Sequence, residues 1–363
     1  MKKFKKIIKI KRLYFLLLVP ISLILIQICK SNSYFTEQYY SLTVYPVIAK
    51  IWGFVFSLVP FSVGEILLVG TVFFMPCYLI FSIVKTIKTK KIKTIKNFAL
   101  NITAFASVVF FMYTIFCGLN YYRLGFEYYF GVDDTQYSVE ELQEMCIYLI
   151  TTGGEIRETL TDEDFDYTDY EMAEKTQDVF SKFSTDYKEI PSKIDSAPKP
   201  VILSELMSRI KITGVFFPFT IEANVNVDTV DYSVPYTMLH EQAHQWGFMF
   251  ENEANFIAWL AGKTAEDDVI RYSAYMSATT YAMNSLYSAD KELYYEAATY
   301  YSDLQWQDLY EKSAYWEPYN DTTASDTWTE VNDTYLKANG QEQGVISYGE
   351  VTELILSDYY KYK

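Results

Sequence analysis

Two histidines are all that the 363 residues contain, and they stand four apart with a glutamate directly after the first: His240, Glu241 and His244, in the stretch LHEQAHQWGFMFENEANF. On a helix, positions i and i+4 share a face, so both imidazoles can direct a nitrogen at one point. That is half of a zinc site, and a glutamate one step round the helix can hold a water beside the ion without ligating it. The chemistry such a pattern serves is attack of an activated water on a peptide carbonyl, with Glu241 as general base and then proton donor to the leaving amine. The plainer alternative is an amphipathic helix whose histidines merely satisfy polar contacts.

With no further histidine and no cysteine cluster at zinc spacing, the third ligand must be a carboxylate, the alternative being weak zinc binding. Glu251 and Glu253 are the nearest. Glu251 shares a helix face with Asn255 at i+4 and Ala258 at i+7, whereas Glu253 is followed by Ile257 and Leu260 at the same offsets. Asn255 can offer its amide oxygen to the free N–H of His240, the orienting contact that metal-bound imidazoles need. Glu251 is therefore expected as the ligand, Asn255 as its support and Glu253 as a solvated first-turn carboxylate, with Glu266 and Asp267 as remote alternatives. Hydrolysis also needs an oxyanion stabiliser. Arg271, Tyr272 and Tyr275 in RYSAY are nearest in sequence, and Arg271 and Tyr272 are the catalytic candidates, with a structural role the alternative for any one tyrosine in a chain of 34. Glu222, Ala223 and Asn224, in IEANVN, are expected on an edge strand that binds the substrate peptide by strand addition, an ordinary paired strand being the alternative.

These residues need elements to hold them. GVFFPFTIEANVNVD, residues 214–228, reads as one or two strands interrupted at Pro218. Pro235 opens a helix near Ser233 that carries the histidines to about residue 246, where Gly247 can end it. A second helix is expected from Glu251 to about Gly262. Upstream, the Ser138 to Glu141 spacing is a capping box for a helix running to about Ile150. Residues 161–178 carry eight acidic side chains and read as a solvated connection rather than a calcium loop, and SAPKP, 196–200, as a hinge into the catalytic region.

Charge is divided unevenly. Residues 1–121 hold 15 Lys and Arg against Glu37 and Glu65 alone, leaving 16 basic and 44 acidic side chains in the rest of the chain. A basic membrane anchor joined to an acidic domain follows, and nucleic acid is excluded as a partner. Residues 13–29, 66–84 and 98–119 are uncharged apolar spans. The six-lysine loop 85–97 and the basic N-terminus belong in the cytoplasm by the positive-inside rule, which leaves residues 120–363 outside the cell. VIAKIWGFVFSLVP, 47–60, is too short to span and suits an interfacial or re-entrant helix. Cys146 is the single cysteine beyond the apolar spans and their ends, so no disulfide forms there.

HEQAHQWGFMFENEANFIAWLAG, with GVFFPFTIEANVN before it and RYSAY after it, together with GLNYYR and YLKANGQEQGVISYGEV, resembles an uncharacterised family of bacterial membrane proteins, the domain-of-unknown-function family numbered 3810. The resemblance implies a zincin-type fold of the Glu-zinc subclass. ENEAN is also similar to the E-x-x-A-D element of membrane-associated Glu-zinc peptidases, with Asn255 in place of Asp. HEQAHQWG resembles the start of the metzincin pattern, but Phe250 stands where its third histidine would be.

The expectation is an α-rich α+β chain: a membrane anchor over 1–122, a helical membrane-proximal segment over 123–195 and a zincin-like metallopeptidase domain over 196–363. Its function would be that of a multi-pass, membrane-anchored zinc (Zn2+) metallopeptidase of the bacterial cell membrane, cutting cell-surface or extracellular peptides or proteins, with the lipid bilayer as its other partner. A zinc-binding sensor or scaffold would keep the ligands yet tolerate loss of Glu241. An intramembrane protease would carry its HExxH inside an apolar span, whereas this one follows NVNVDTVDYS.

Overall fold

The computed structural model describes residues 11–131, 137–187, 196–320, 322–339, 348–361 and 363. Three helices are long and apolar enough to cross a membrane, Lys11–Ser31, Val63–Thr89 and Lys93–Phe116. The uninterrupted part of the first, Leu18–Ser31, is α1; Val44–Ser57 is α2, Val63–Thr89 α3 and Lys93–Phe116 α4. Helices α3 and α4 form a hairpin, with Asn101 donating to Tyr78 Oη and the Tyr78 and Phe98 rings in contact, and the lysine-rich stretch lies at its turn. The end of α1, the start of α3 and the end of α4 face the remainder of the chain. Helix α2 buries Tyr45, Ala49 and Gly53 and exposes Val47, Ile51 and Phe54 on its other side, as a helix lying along an apolar boundary does.

The segment 123–195 does not stand apart. Phe126, Met145, Leu149, Met172, Phe180 and Ile355 share one core with the residues of the histidine-bearing helix. Helix α5, Val139–Thr159, starts at the Ser138 capping box and runs a full two turns beyond Ile150. The acidic stretch is not merely a solvated connection, because α6, Asp169–Asp186, begins inside it at a second capping box, Thr168 with Glu171. Met172, Thr176 and Phe180 recur at helical spacing and are buried, while the carboxylates that mask this pattern in the sequence face outward.

Among the described residues, one three-stranded sheet supports the histidine helix. Its strands are β1 (Lys199–Pro200), β2 (Gly214–Phe217) and β3 (Glu222–Val225), in the order β1-β3-β2, with β3 parallel to β1 and antiparallel to β2. This corrects two expectations. SAPKP is not a hinge but supplies β1, which no propensity argument signals because proline cannot donate to a ladder. Consequently β3 is central and fully buried, so Glu222, Ala223 and Asn224 offer no edge to a peptide. Glu222 instead pairs with Lys199 at 2.6 Å and accepts from the backbone N–H groups of Val63 and Gly64, at the start of α3. Asn224 donates to the Val215 and Glu222 carbonyls within the sheet. Glu222→Ala would strand the buried Lys199 ammonium, and a loss of about 3–5 kcal/mol is expected in denaturant unfolding of the purified chain.

The remaining described helices of eight residues or more are α7 (Val234–Gln245), α8 (Glu251–Lys263), α9 (Asp268–Ala289), α10 (Lys291–Ala298), α11 (Asp303–Trp316), α12 (Thr323–Ala338) and α13 (Tyr348–Lys361). Pro235 sits in the first turn of α7, where its missing N–H costs nothing. Gly247 ends that helix at φ +86°, and a Cβ there would collide with Asn120 and Tyr45. The chain thereby turns back tightly enough to bring α8 alongside α7. All four cysteines are free.

Candidate metal centre

His240 and His244 project from one face of α7, and Glu251 reaches them from the first residue of α8. His240 Nε2 lies 3.2 Å from one oxygen of Glu251, and His244 Nε2 lies 3.7 Å from the other. One ligand atom from each of the three residues falls within 4.8 Å of the others, the one such cluster of metal-ligating side chains among the described residues. Zinc bonds of about 2.0–2.1 Å at tetrahedral angles place neighbouring ligand atoms about 3.4 Å apart, close to the two spacings to Glu251.

The imidazoles are turned for this role. His240 Nδ1 is 2.8 Å from Asn255 Oδ1, and His244 Nδ1 is 2.7 Å from the Phe248 carbonyl. Each Nδ1 thus faces an acceptor, which leaves both Nε2 atoms directed at Glu251, where a cation would take them as ligands. Tyr281 Oη donates to the same Asn255 oxygen and fixes the amide in turn. Neither the Phe248 carbonyl nor Tyr281 figured in the sequence reading. The first is a backbone group brought round by the Gly247 turn, and the second lies a helix away from the motif.

Electrostatics follow from burial and proximity. Burial alone would lower His240, but its contact with Glu251 outweighs this and raises it to about 9. Burial raises Glu251, and the His240 contact more than reverses that, to about 2. Burial lowers His244 to about 4, so that imidazole is neutral and ready to ligate. The cluster therefore holds one proton on His240 that an incoming cation must displace.

Glu241 is buried beside these ligands without joining them. Its carboxylate accepts from the Phe216 backbone N–H, its Oε2 has no partner, and burial raises its pKa to about 8. A buried carboxylate oxygen with nothing to accept from is costly unless a water or substrate group supplies the donor. Gly214 makes room for it, since any Cβ at that position would overlap the Glu241 carboxylate. The donor set and the orientation of both rings fit a divalent-metal site, and the unpartnered oxygen leaves room for a donor beside it.

Several sequence candidates are placed elsewhere. Arg271 pairs with Asp268 one turn earlier. Tyr272 is fully buried and donates to Asp308, which also holds Arg157. Tyr275 meets Tyr148 and the Trp259 ring. RYSAY thus contributes a structural network rather than an oxyanion stabiliser; its nearness in sequence to α8 is undone by the turn that reverses α9. Glu266 pairs with Lys182, and Asp267 caps α9 while binding Lys175. Glu253 is not solvated: it is buried and accepts from the Phe126 N–H, and burial raises its pKa to about 8. Its direction, away from the histidines and into the 123–130 segment, separates it from Glu251.

The family described as a protein of unknown function (DUF3810) matches residues 40–356, and the chain belongs to that family. No curated protein and no solved structure matches the chain.

Proposed function

We propose that this family member is a membrane-anchored zinc metallopeptidase that hydrolyses peptide bonds of polypeptides outside the bacterial cell membrane. The observation that carries the reading is the set of three converging ligands, each histidine fixed through its other nitrogen, beside a buried glutamate with an unpartnered oxygen. His240, His244 and Glu251 would hold the ion, which when bound supplies a Lewis acid that polarises a carbonyl and makes water acidic near neutral pH. With a cation beside it favouring the ionised form, Glu241 would accept a hydrogen bond from the attacking water at Oε2, take its proton, and return it to the leaving amine nitrogen. The Phe216 N–H keeps the other side of that carboxylate in place.

Peptide binding moves from β3 to β2, the strand at the sheet's edge on the side of Glu241. Thr213 O accepts from Asn226 N, so in the antiparallel ladder residues 213, 215 and 217 bond toward β3, and Gly214 and Phe216 turn their backbone groups outward. A substrate laid along this edge passes Glu241 and the ligands.

Full-length protein in detergent should cleave members of a randomised peptide library. Chelation should abolish cleavage and zinc should restore it; cleavage that survives metal removal would reject the reading. The proposed topology has three spans, the N-terminus and lysine-rich turn in the cytoplasm and residues 120–363 outside. Added protease should digest the domain in wall-stripped cells and spare residues 85–97, and the opposite pattern would overturn it. The intramembrane alternative loses ground because α7 lies beyond all three candidate spans.

A further inference from the structure

The metal centre is built directly onto the ends of the membrane helices. Phe216 of β2 packs against two clusters, one of Cys117, Tyr121 and Met249, the other including Cys29, Tyr45 and Leu119. The Phe217 ring lies against Gly64 so closely that a Cβ there would overlap it. Glu222 binds the first N–H groups of α3, Trp52 of α2 donates to the Phe219 carbonyl, and Glu65 accepts from Ile202 and Leu203. Tyr45 of α2 donates to the Gln245 carbonyl at the end of the histidine helix. These bonds flank the site on several sides, so the domain is not on a flexible tether and the site's height above the helix ends is fixed.

That height is small. Cys117, the residue after α4, has its sulfur 3.4 Å from Met249 Sδ, and Met249 is two residues before Glu251. Two residues of chain reach at most about 7 Å, which puts Glu251 on the order of 15 Å from the end of α4, the length of about four or five extended residues. Phe250, next to Glu251, also meets the Tyr121 ring edge-on at 5.5 Å.

We infer that the substrates are polypeptides anchored in the same bilayer and cut within about six residues of its surface; this rests on the metallopeptidase reading. A free peptide meets the site only by diffusion. A lipid- or helix-anchored chain presents its first extracellular residues at the height of β2 continuously, and residues farther out must fold back toward the membrane to enter.

The test uses the full chain carrying Glu241→Gln in phosphatidylcholine vesicles, so that substrate is held but not consumed. Randomised peptides are tethered to the vesicles through an acyl chain, with one photoreactive residue placed about four or about twenty residues from the tether. Crosslinking at the near position is expected to exceed the far position by at least about tenfold and to map to residues 214–217 by mass spectrometry, a contrast that surface confinement alone does not produce. Equal capture at both positions, equal capture of untethered peptides, or no capture on β2 would overturn the inference. Wild-type chain on the same vesicles provides the separate readout: cuts should cluster within six residues of the tether. If peptides are captured as expected but wild type cuts none, the peptidase reading fails and the placement of the anchored chain stands.

Discussion

Glu241→Gln is expected to retain zinc and fold while peptide cleavage falls by about 10³-fold or more. General acid–base catalysis contributes about 10²–10⁴ in rate, and the loss of water positioning compounds it. The amide is isosteric, so Gly214 still leaves it room, and its oxygen still accepts from the Phe216 N–H. What changes is the position of Oε2, where an acceptor for the water's proton becomes an N–H2 donor. Hydrolysis rates of the two chains on one substrate, with zinc content measured on the same samples, decide it. Equal rates would remove Glu241 from the chemistry.

The second large effect is at the third ligand. Glu251→Gln is expected to weaken zinc affinity by orders of magnitude, because it replaces the one carboxylate among the described residues that reaches both Nε2 atoms. Glu253→Gln, two residues away, should change affinity only slightly. Its carboxylate faces the Phe126 N–H, and the neutral amide suits a buried site where the acid is already held toward its protonated form. Competitive zinc titration of both variants separates them, and the reverse order would mean that α8 presents its other face to the histidines.

The convergence of His240, His244 and Glu251 is legible in the sequence because its information is local. His240 and His244 share a helix face by spacing alone, and Asn255 follows Glu251 at the one offset that keeps them together. The strand break at Pro218, the Pro235 start and the Gly247 stop are punctuation that local sterics enforce, and the three apolar spans follow from length and hydropathy. What escaped the sequence depends on distant partners. Whether β3 is an edge or a centre is decided by β1, a two-residue strand ending in proline that carries no strand signal. Glu222 resembles a solvent-facing strand residue until Lys199 and the start of α3 arrive from 23 and more than 150 residues away. Arg271 and Tyr272 are near the ligands along the chain, but the fold pairs them with Asp268 and Asp308. The second half of the acidic stretch hides its helix for another reason: with few buried residues per turn, its apolar face is outweighed by its carboxylates in any count of composition.

Zinc content of the purified full chain is the most direct measurement. His240 and His244 are the only histidines in 363 residues, so no other imidazole can stand in for them. One zinc per wild-type chain is expected, and none when both histidines are replaced by alanine. A full complement of zinc in that double variant would contradict the metal centre.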